Sequence, residues 1–150
     1  YNARTETVAD KPSYRTAWRQ RQFCLVPLGR FFEPCWETGK AVPWSIHRQD
    51  GEPFTVAGIW DRWNDRATGE IVVSFSMLTI NAEGHPIMGR FHRPGDERRS
   101  LVVVPPSRWT DWLSATPDTL RAMLAEMPVA EFTSESVMGW ISAPAQASFL

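Results

Sequence analysis

Alternating apolar and polar residues mark several β-strands, and the clearest of them covers residues 71–80. There the chain is rich in β-branched residues, and side chains of one parity point to one face of a strand. Val73, Phe75, Met77 and Thr79 therefore share one face, and Leu78 and Ile80 lie on the other. Asp50-Gly51 is a hairpin signal before another apolar run. The predicted strands cover residues 23–32, with a bend near Pro27 and Gly29, and residues 42–48, 54–60, 71–80 and 101–104.

Helical spacing appears at both ends of this strand-rich region. Pro12 is suited to the first position of a helix over residues 12–21, and a second helix is predicted over residues 107–114. A third helix takes Thr116 as N-cap and Pro117 as its first residue. The order of helix, hairpins and helices predicts an α+β domain with a β-rich antiparallel core and flanking short helices. The third helix carries apolar residues at helical spacing: Leu120, Met123, Leu124 and Met127.

Composition narrows the class of protein. The chain has 150 residues, of which 43% are hydrophobic and 22% charged, so one globular domain is expected over residues 1–150. It contains no apolar run of the roughly 18 residues that a membrane span needs. Two cysteines make no disulfide framework and no zinc-ligand spacing, which favours a soluble protein of the reducing cytoplasm. The first residue is Tyr1 rather than Met, so we expect that an N-terminal segment is missing.

Charge is distributed unevenly along the chain. Residues 1–48 carry eight basic and four acidic side chains, a net charge of +4, whereas residues 109–150 carry one basic and five acidic, a net charge of −4. Fourteen of the sixteen cations are arginine, which suits bidentate contacts with phosphate. A polyanionic partner is compatible with this pattern, although a modest excess of charge is also typical of a solvated face.

Two residues are candidates for chemistry. Glu33 follows two aromatic residues and precedes Pro34, so it is either an acceptor for backbone N–H groups or a proton-transfer group in a cleft. His92 lies in a loop among Arg90, Arg93, Arg98 and Arg99, which would favour a neutral imidazole, but a surface histidine fits equally well. We assign structural or surface roles to His47 and His85. The eight tryptophans are better explained as core residues than as base-stacking platforms.

Seven segments together resemble the SRAP family, the SOS-response-associated peptidases or abasic-site processing proteins. The resemblance runs in order from Asn2 to about Leu113 and is poor beyond about Met127. The histidine loop resembles the longer form found in that family. The segments are Asn2–Thr7, Cys24–Pro27, Phe31–Pro34, Gly51–Phe54, Ala57–Trp60, Phe75–Thr79 and Met88–Arg99.

The resemblance implies a barrel-like, β-rich fold with a cleft for single-stranded DNA that contains an abasic site. In the family, an N-terminal cysteine exposed by removal of the initiator methionine forms a thiazolidine with the abasic aldehyde. By motif, the catalytic residues are Asn2, Glu33 and His92. No metal or organic cofactor is implied, and we expect a cytoplasmic monomer of bacterial or phage origin that joins the nucleoid when it acts on DNA. The implied DNA-binding residues are Arg4, Thr79, Trp36 and Arg90.

Two departures from the family pattern keep alternatives open. The expected nucleophile belongs upstream of Asn2, and neither Cys24 nor Cys35 occupies its position. Pro34 stands where many members have tryptophan, for which Trp36 is a possible substitute. The abasic-site crosslinking protein with autopeptidase activity is therefore our main hypothesis. The alternatives are a non-catalytic single-stranded DNA-binding module, as on a phage or mobile element, and a small hydrolase that uses Glu33 and His92.

Overall fold

The computed structural model describes residues 2–137, which form eight strands and three short α-helices. The predicted β-rich α+β fold is confirmed. The helices are α1, Arg15–Arg19, α2, Trp109–Ser114, and α3, Pro117–Arg121, with single 3₁₀ turns at Met88–Arg90, Pro106–Arg108 and Val129–Glu131. The strands are β1, Asn2–Arg4; β2, Phe23–Leu28; β3, Phe31–Cys35; β4, Val42–Arg48; β5, Phe54–Asn64; β6, Ile71–Asn81; β7, Arg99–Leu101; and β8, Phe132–Ser136.

The strands form two sheets. The larger has the order β1-β6-β5-β2, with β7 also paired to β6, and the smaller has the order β3-β4-β8. Every pair is antiparallel except β1 with β6, which is parallel, so the predicted antiparallel core is confirmed and the larger sheet is mixed at this one edge. Three residues of β1 can pair in parallel because the chain between them and β6 is long enough to cross over.

The period of two along β5 explains how the sheets and helices pack. Ala57 and Ile59 enter a core with Trp18 and Trp112, which come from the helices. Phe54 and Val56 face the opposite way and enter a second core, which contains residues of the smaller sheet. The larger sheet is therefore buried on both faces over this stretch, by helices on one side and by the smaller sheet on the other.

The predicted strand over residues 23–32 is two strands in different sheets. Its first part, β2, is an edge strand, where Pro27 is tolerated because the missing N–H is not needed on the open side. The chain then changes sheets at Gly29 and Arg30 and continues as β3, which carries Glu33. The bend predicted near Gly29 is thus a crossing from one sheet to the other.

Helix lengths differ from the sequence prediction. The helix predicted over residues 12–21 covers only Arg15–Arg19, because residues before it form turns and Arg21 has a φ of 59°, which ends it. Thr116 caps α3 with a capping box, as predicted, but α3 stops at Arg121 rather than reaching Met127. The spacing of Trp109, Trp112 and Leu113 predicts that they share one apolar side of α2, and this prediction is wrong. Trp112 is buried, whereas Trp109 and Leu113 are 40% and 52% exposed.

The last two strands, β7 and β8, also differ from the sequence prediction. The strand predicted over residues 101–104 covers Arg99–Leu101 in the structure. Val102, which follows it, donates its N–H to the carbonyl oxygen of Leu78 in β6 and accepts from the N–H of Ala57 in β5. Strand β8 was not predicted, because only Phe132 of its five residues is apolar. Among residues 2–137, none of the helices has the length and apolar character that a membrane span requires.

Gly58 lies opposite Cys24 where β5 pairs with β2. A Cβ at this position would lie 2.8 Å from Cys24 Sγ, 3.1 Å from Val26 Cγ2 and 3.2 Å from the carbonyl oxygen of Ser76. We expect Gly58→Ala to lower the free energy of unfolding by about 1–3 kcal/mol, since an added methyl group forces packed atoms apart. Gly29→Ala is the matched control, because nothing lies within 4 Å of its Cβ. Urea denaturation with equal losses for both variants would contradict this expectation.

Candidate active site

A cleft of about 260 Å³ collects polar residues from distant parts of the chain. It combines β1, one residue of β3, the end of β6, the loop after residue 91 and β7. Five residues predicted from the sequence meet there: Asn2, Arg4, Glu33, Thr79 and His92. The residues lining the cleft are Asn2, Arg4, Glu33, Thr79, His92, Arg99, Ser100 and Leu101.

Backbone pairing brings His92 to Glu33. Phe91 forms a β-bridge with Cys35, and the N–H of His92 donates to the carbonyl oxygen of Pro34 at 3.1 Å. His92 has a φ of 71°, a left-handed conformation that is uncommon for residues other than glycine. The loop is thus fastened to β3 beside the glutamate, and His92 Nδ1 lies 3.5 Å from Glu33 Oε2.

The hydrogen bonds of the imidazole define its tautomer. Nε2 lies 3.1 Å from the carbonyl oxygen of Arg99, which can only accept, so Nε2 carries a proton. In the neutral ring Nδ1 then presents its lone pair to Glu33. Burial raises the pKa of the Glu33 carboxyl, and the charge of His92 offsets this only in part. Glu33 and His92 therefore form a facing pair in a partly buried setting, with side chains that are 21% and 19% exposed.

The arginines around His92 are arranged differently from the sequence interpretation. Arg90 binds Glu37, Arg98 donates to the carbonyl oxygens of Gly89 and Asp96, and Arg93 lies over the ring of Trp36. The ionisable side chain that faces the imidazole is the carboxyl of Glu33 rather than a guanidinium. Crowding by arginine is therefore not what sets the environment of His92.

Strand β1 positions Asn2 and Arg4 at the cleft. Its parallel register places Arg4 opposite Thr79 and Asn2 opposite Met77. Ala3, between them, is fully buried, so the alternation of a strand turns Asn2 and Arg4 to the other face. The side chain of Arg4 is 57% exposed and forms an ion pair with Glu97 at 2.7 Å.

Arg99 is a cleft residue that sequence reasoning did not single out. Its side chain is 11% exposed and forms ion pairs with Glu6 at 2.9 Å and Glu97 at 2.7 Å. It also donates to the carbonyl oxygen of Thr79 at 2.6 Å. Nothing in the sequence distinguishes it from the neighbouring arginines. Its burial follows from the pairing of β7 with β6, which sets Arg99 opposite Asn81.

Two residues predicted to bind DNA lie outside the lining of the cleft. Trp36 is partly buried, with the guanidinium of Arg93 at 5.8 Å from its ring centroid. Arg90 holds Glu37 with two hydrogen bonds of 2.9 and 3.1 Å and lies 4.6 Å from the ring of Trp44. A role of Trp36 and Arg90 in DNA binding stays a prediction.

The remaining histidines and both cysteines lie away from the cleft. His85 is buried, with Nε2 donating to the carbonyl oxygen of Met127 and Nδ1 accepting two backbone N–H groups, which is a structural role. His47 lies on β4 near Ser45. Burial raises the pKa of the Cys24 thiol to about 11, and Cys35 is buried. Within residues 2–137, no cluster of three or more His, Cys, Asp or Glu residues could hold a metal ion.

Comparison with known proteins identifies the family. The family model described as SOS response associated peptidase (SRAP) matches residues 1–144. The chain belongs to the SRAP family. The match extends past Met127, into the part of the chain where the sequence motifs resemble the family poorly.

Two curated relatives of this SRAP chain are named abasic site processing proteins. YobE of Bacillus subtilis is 25% identical over 149 residues, which cover 95% of the chain and 63% of YobE. YoqW of Bacillus phage SPbeta is 24% identical, with coverage of 95% and 62%. The chain therefore spans less than two thirds of the length of these SRAP relatives.

Solved structures agree with the SRAP fold. A crystal structure of a Bordetella bronchiseptica protein has a TM-score of 0.86 and 39% identity, and it covers 91% of this chain and 64% of that one. A Bacteroides thetaiotaomicron protein has a TM-score of 0.76 and 26% identity, with coverage of 90% and 57%.

Proposed function

We propose that this chain supplies the proton-transfer and DNA-binding cleft of a protein that crosslinks to abasic sites in single-stranded DNA. The observation that carries the proposal is the pair formed by Glu33 and His92, joined at 3.5 Å inside a cleft that Asn2 and Arg4 also line. Membership of the SRAP family and the names of the curated relatives support a DNA-related role at abasic sites.

The proposed reaction uses an N-terminal cysteine contributed from outside the described residues. Its amine adds to the aldehyde carbon of the abasic sugar and gives a carbinolamine. The hydroxyl group leaves as water after taking a proton from Glu33, whose raised pKa favours the acid form, and a Schiff base remains. The cysteine sulfur then bonds to the imine carbon, its proton passes to the nitrogen, and a thiazolidine closes.

His92 and Asn2 have supporting roles in this proposal. The lone pair on His92 Nδ1 faces Glu33, so the imidazole can take the proton that the iminium nitrogen loses after the water has left, and then pass it to the Glu33 carboxylate. Asn2 lies on the same face as Arg4, where its amide can hold the sugar or the cysteine terminus. The same pair could serve hydrolysis of the bond between the initiator methionine and the cysteine, with ionised Glu33 taking a proton from the attacking water.

Arg4 and Thr79 are the proposed DNA contacts. The Arg4 guanidinium is 57% exposed at the edge of the cleft, and Thr79 lies beside it in the parallel register. Arginine contacts with phosphate release counterions from the nucleic acid, so binding through Arg4 should weaken as salt concentration rises.

A second candidate is a single-stranded DNA-binding module without catalysis. It is favoured by one observation, the position of Cys24 and Cys35 away from the cleft, which leaves the described residues that line it without a cysteine thiol. This function needs Arg4 and Thr79 but neither the acid form of Glu33 nor an N-terminal cysteine.

The deciding experiment uses the mature full-length protein, after its N-terminal residue has been sequenced. If that residue is cysteine, we expect a denaturation-resistant adduct on a gel with single-stranded DNA containing an abasic site. An oligonucleotide with a tetrahydrofuran in place of the abasic sugar is the control, because it lacks the aldehyde. No adduct from a protein that starts with cysteine would overturn crosslinking, and binding without an adduct would favour the second candidate.

A further inference from the structure

Glu97 occupies a position between the basic and polar groups at the edge of the cleft. Its Oε2 accepts from Arg4 Nη1 at 2.7 Å, and its Oε1 accepts from Arg99 Nη1 at 2.7 Å and from Asn81 Nδ2 at 3.2 Å. We propose that Glu97 acts as an internal substitute for a DNA phosphate, and that a strand binds the cleft by displacing it from Arg4. This inference rests on the proposed function of the cleft, and it assigns Glu97 a role in controlling affinity.

The donor set around Glu97 is one that would equally hold a phosphate. Two guanidinium groups and an amide N–H₂ converge on its oxygens, and arginine binds carboxylate and phosphate with the same planar pair of donors. Hydrogen bonds from Arg99 and Asn81 lower the pKa of Glu97, so it carries its negative charge at neutral pH. A phosphate approaching Arg4 therefore meets a guanidinium that already has an anionic partner.

Arg4 and Arg99 differ in how firmly they are held. Arg99 is 11% exposed and is also bound to Glu6 and to the carbonyl oxygen of Thr79, so it is fixed in place. Arg4 is 57% exposed, and within residues 2–137 Glu97 is the side-chain partner that the structure gives it. Exposed ion pairs contribute little net stability. Arg4 is thus the group that can change partner.

Displacement of Arg4 leaves no uncompensated charge in the cleft. Glu97 keeps Arg99 and Asn81 as partners when Arg4 leaves, so its carboxylate stays paired. Arg4 in turn exchanges one anion for another. The free energies of the two ion pairs are close to equal, so an isolated phosphate gains little binding free energy from the exchange. A DNA strand that makes further contacts along the cleft gains the full binding free energy of those contacts. Glu97 should therefore disfavour mononucleotides relative to single-stranded DNA.

The test is a double-mutant cycle between Glu97 and Arg4 on the whole protein. We expect Glu97→Gln to tighten the Kd for a single-stranded oligonucleotide by about fivefold, the size of a lost exposed ion pair. In the background of Arg4→Gln the same change should leave the Kd unaltered, because the competing pair no longer exists. Glu97→Asp, which keeps the charge but shortens its reach, should give a smaller gain.

Glu70→Gln is the matched control, since it removes one negative charge from the turn between β5 and β6. Thermal melting of each variant reports whether it is folded. Weaker binding by folded Glu97→Gln would mean that Glu97 orients Arg4 for DNA, and it would overturn the inference. An equal gain in affinity in the Arg4→Gln background, or for Glu70→Gln, would show that the effect comes from net charge alone and would overturn the inference. A Kd that is the same with and without the Glu97 carboxylate would contradict this inference alone. Absence of DNA binding in every variant would contradict the proposed function as well.

Discussion

Replacing Glu33 by glutamine should slow adduct formation with abasic single-stranded DNA by about 10²–10⁴-fold, the usual contribution of a positioned acid or base. Glutamine has almost the same shape and can still contact His92, but it cannot release a proton to the departing hydroxyl group. The measurement is a single-turnover time course of the denaturation-resistant adduct, made with the full-length protein. Affinity for undamaged DNA should stay within about twofold of the wild type, because the substitution removes a proton-transfer step and not a contact that binds the DNA.

Glu83→Gln is the control for this experiment, because Glu83 is exposed in the turn after β6. It should leave the rate unchanged. The burial that raises the pKa of Glu33 also predicts that the wild-type rate falls as pH rises through that pKa, as the acid form is lost. This descending limb should be absent from the Glu33→Gln profile. A rate near that of the wild type for Glu33→Gln would remove Glu33 from the proposed mechanism.

Trp112→Ala should lower the free energy of unfolding by about 3–5 kcal/mol, the range for removing a large buried aromatic side chain. The ring of Trp112 is fully buried, lies 6.0 Å from that of Phe23 and joins α2 to the larger sheet. Its Nε1 donates to the carbonyl oxygen of Cys24 at 3.0 Å, and the substitution leaves that acceptor without this donor. Because a domain of this size is stable by only about 5–15 kcal/mol, such a loss is a large part of the total.

Urea denaturation followed by circular dichroism measures this loss, with Trp63→Ala as the matched control. Trp63 is 61% exposed near the end of β5, so truncating it creates no cavity. Its midpoint should stay close to that of the wild type. Similar midpoints for Trp112→Ala and the wild type would show that α2 does not anchor the core of helices and larger sheet.

The sequence predicted strands well where β-branched and apolar residues alternate with polar ones over several positions. Strand β4 has the predicted bounds, and β6 differs by one residue, because alternation over seven or more residues is a strong signal. The crossing between β2 and β3 was not recognised, because a continuous apolar run looks the same whether it stays in one sheet or enters two. Strand β8 was missed since it is an edge strand with one buried apolar residue, Phe132.

The site was predicted only in part, because its contacts join segments that no local pattern connects. Family motifs pointed to Glu33 and His92, but their contact depends on the bridge between Phe91 and Cys35, which no local pattern reveals. Arg99 is buried because of a strand pairing that joins residues far apart in sequence. Local patterns identify elements and candidate residues, whereas the network around Glu97 arises only when several elements meet.

The burial of Glu33 has a consequence for the resistance of the protein to unfolding. A carboxyl whose pKa is higher in the folded state than in the unfolded state binds its proton more tightly when folded. The native state therefore loses stability as pH rises from the ordinary pKa of glutamic acid through the raised one. Glutamine at position 33 has no proton to lose and escapes this penalty. The substitution that we expect to be most damaging to chemistry should thus make the domain harder to unfold, so activity and stability are opposed at Glu33.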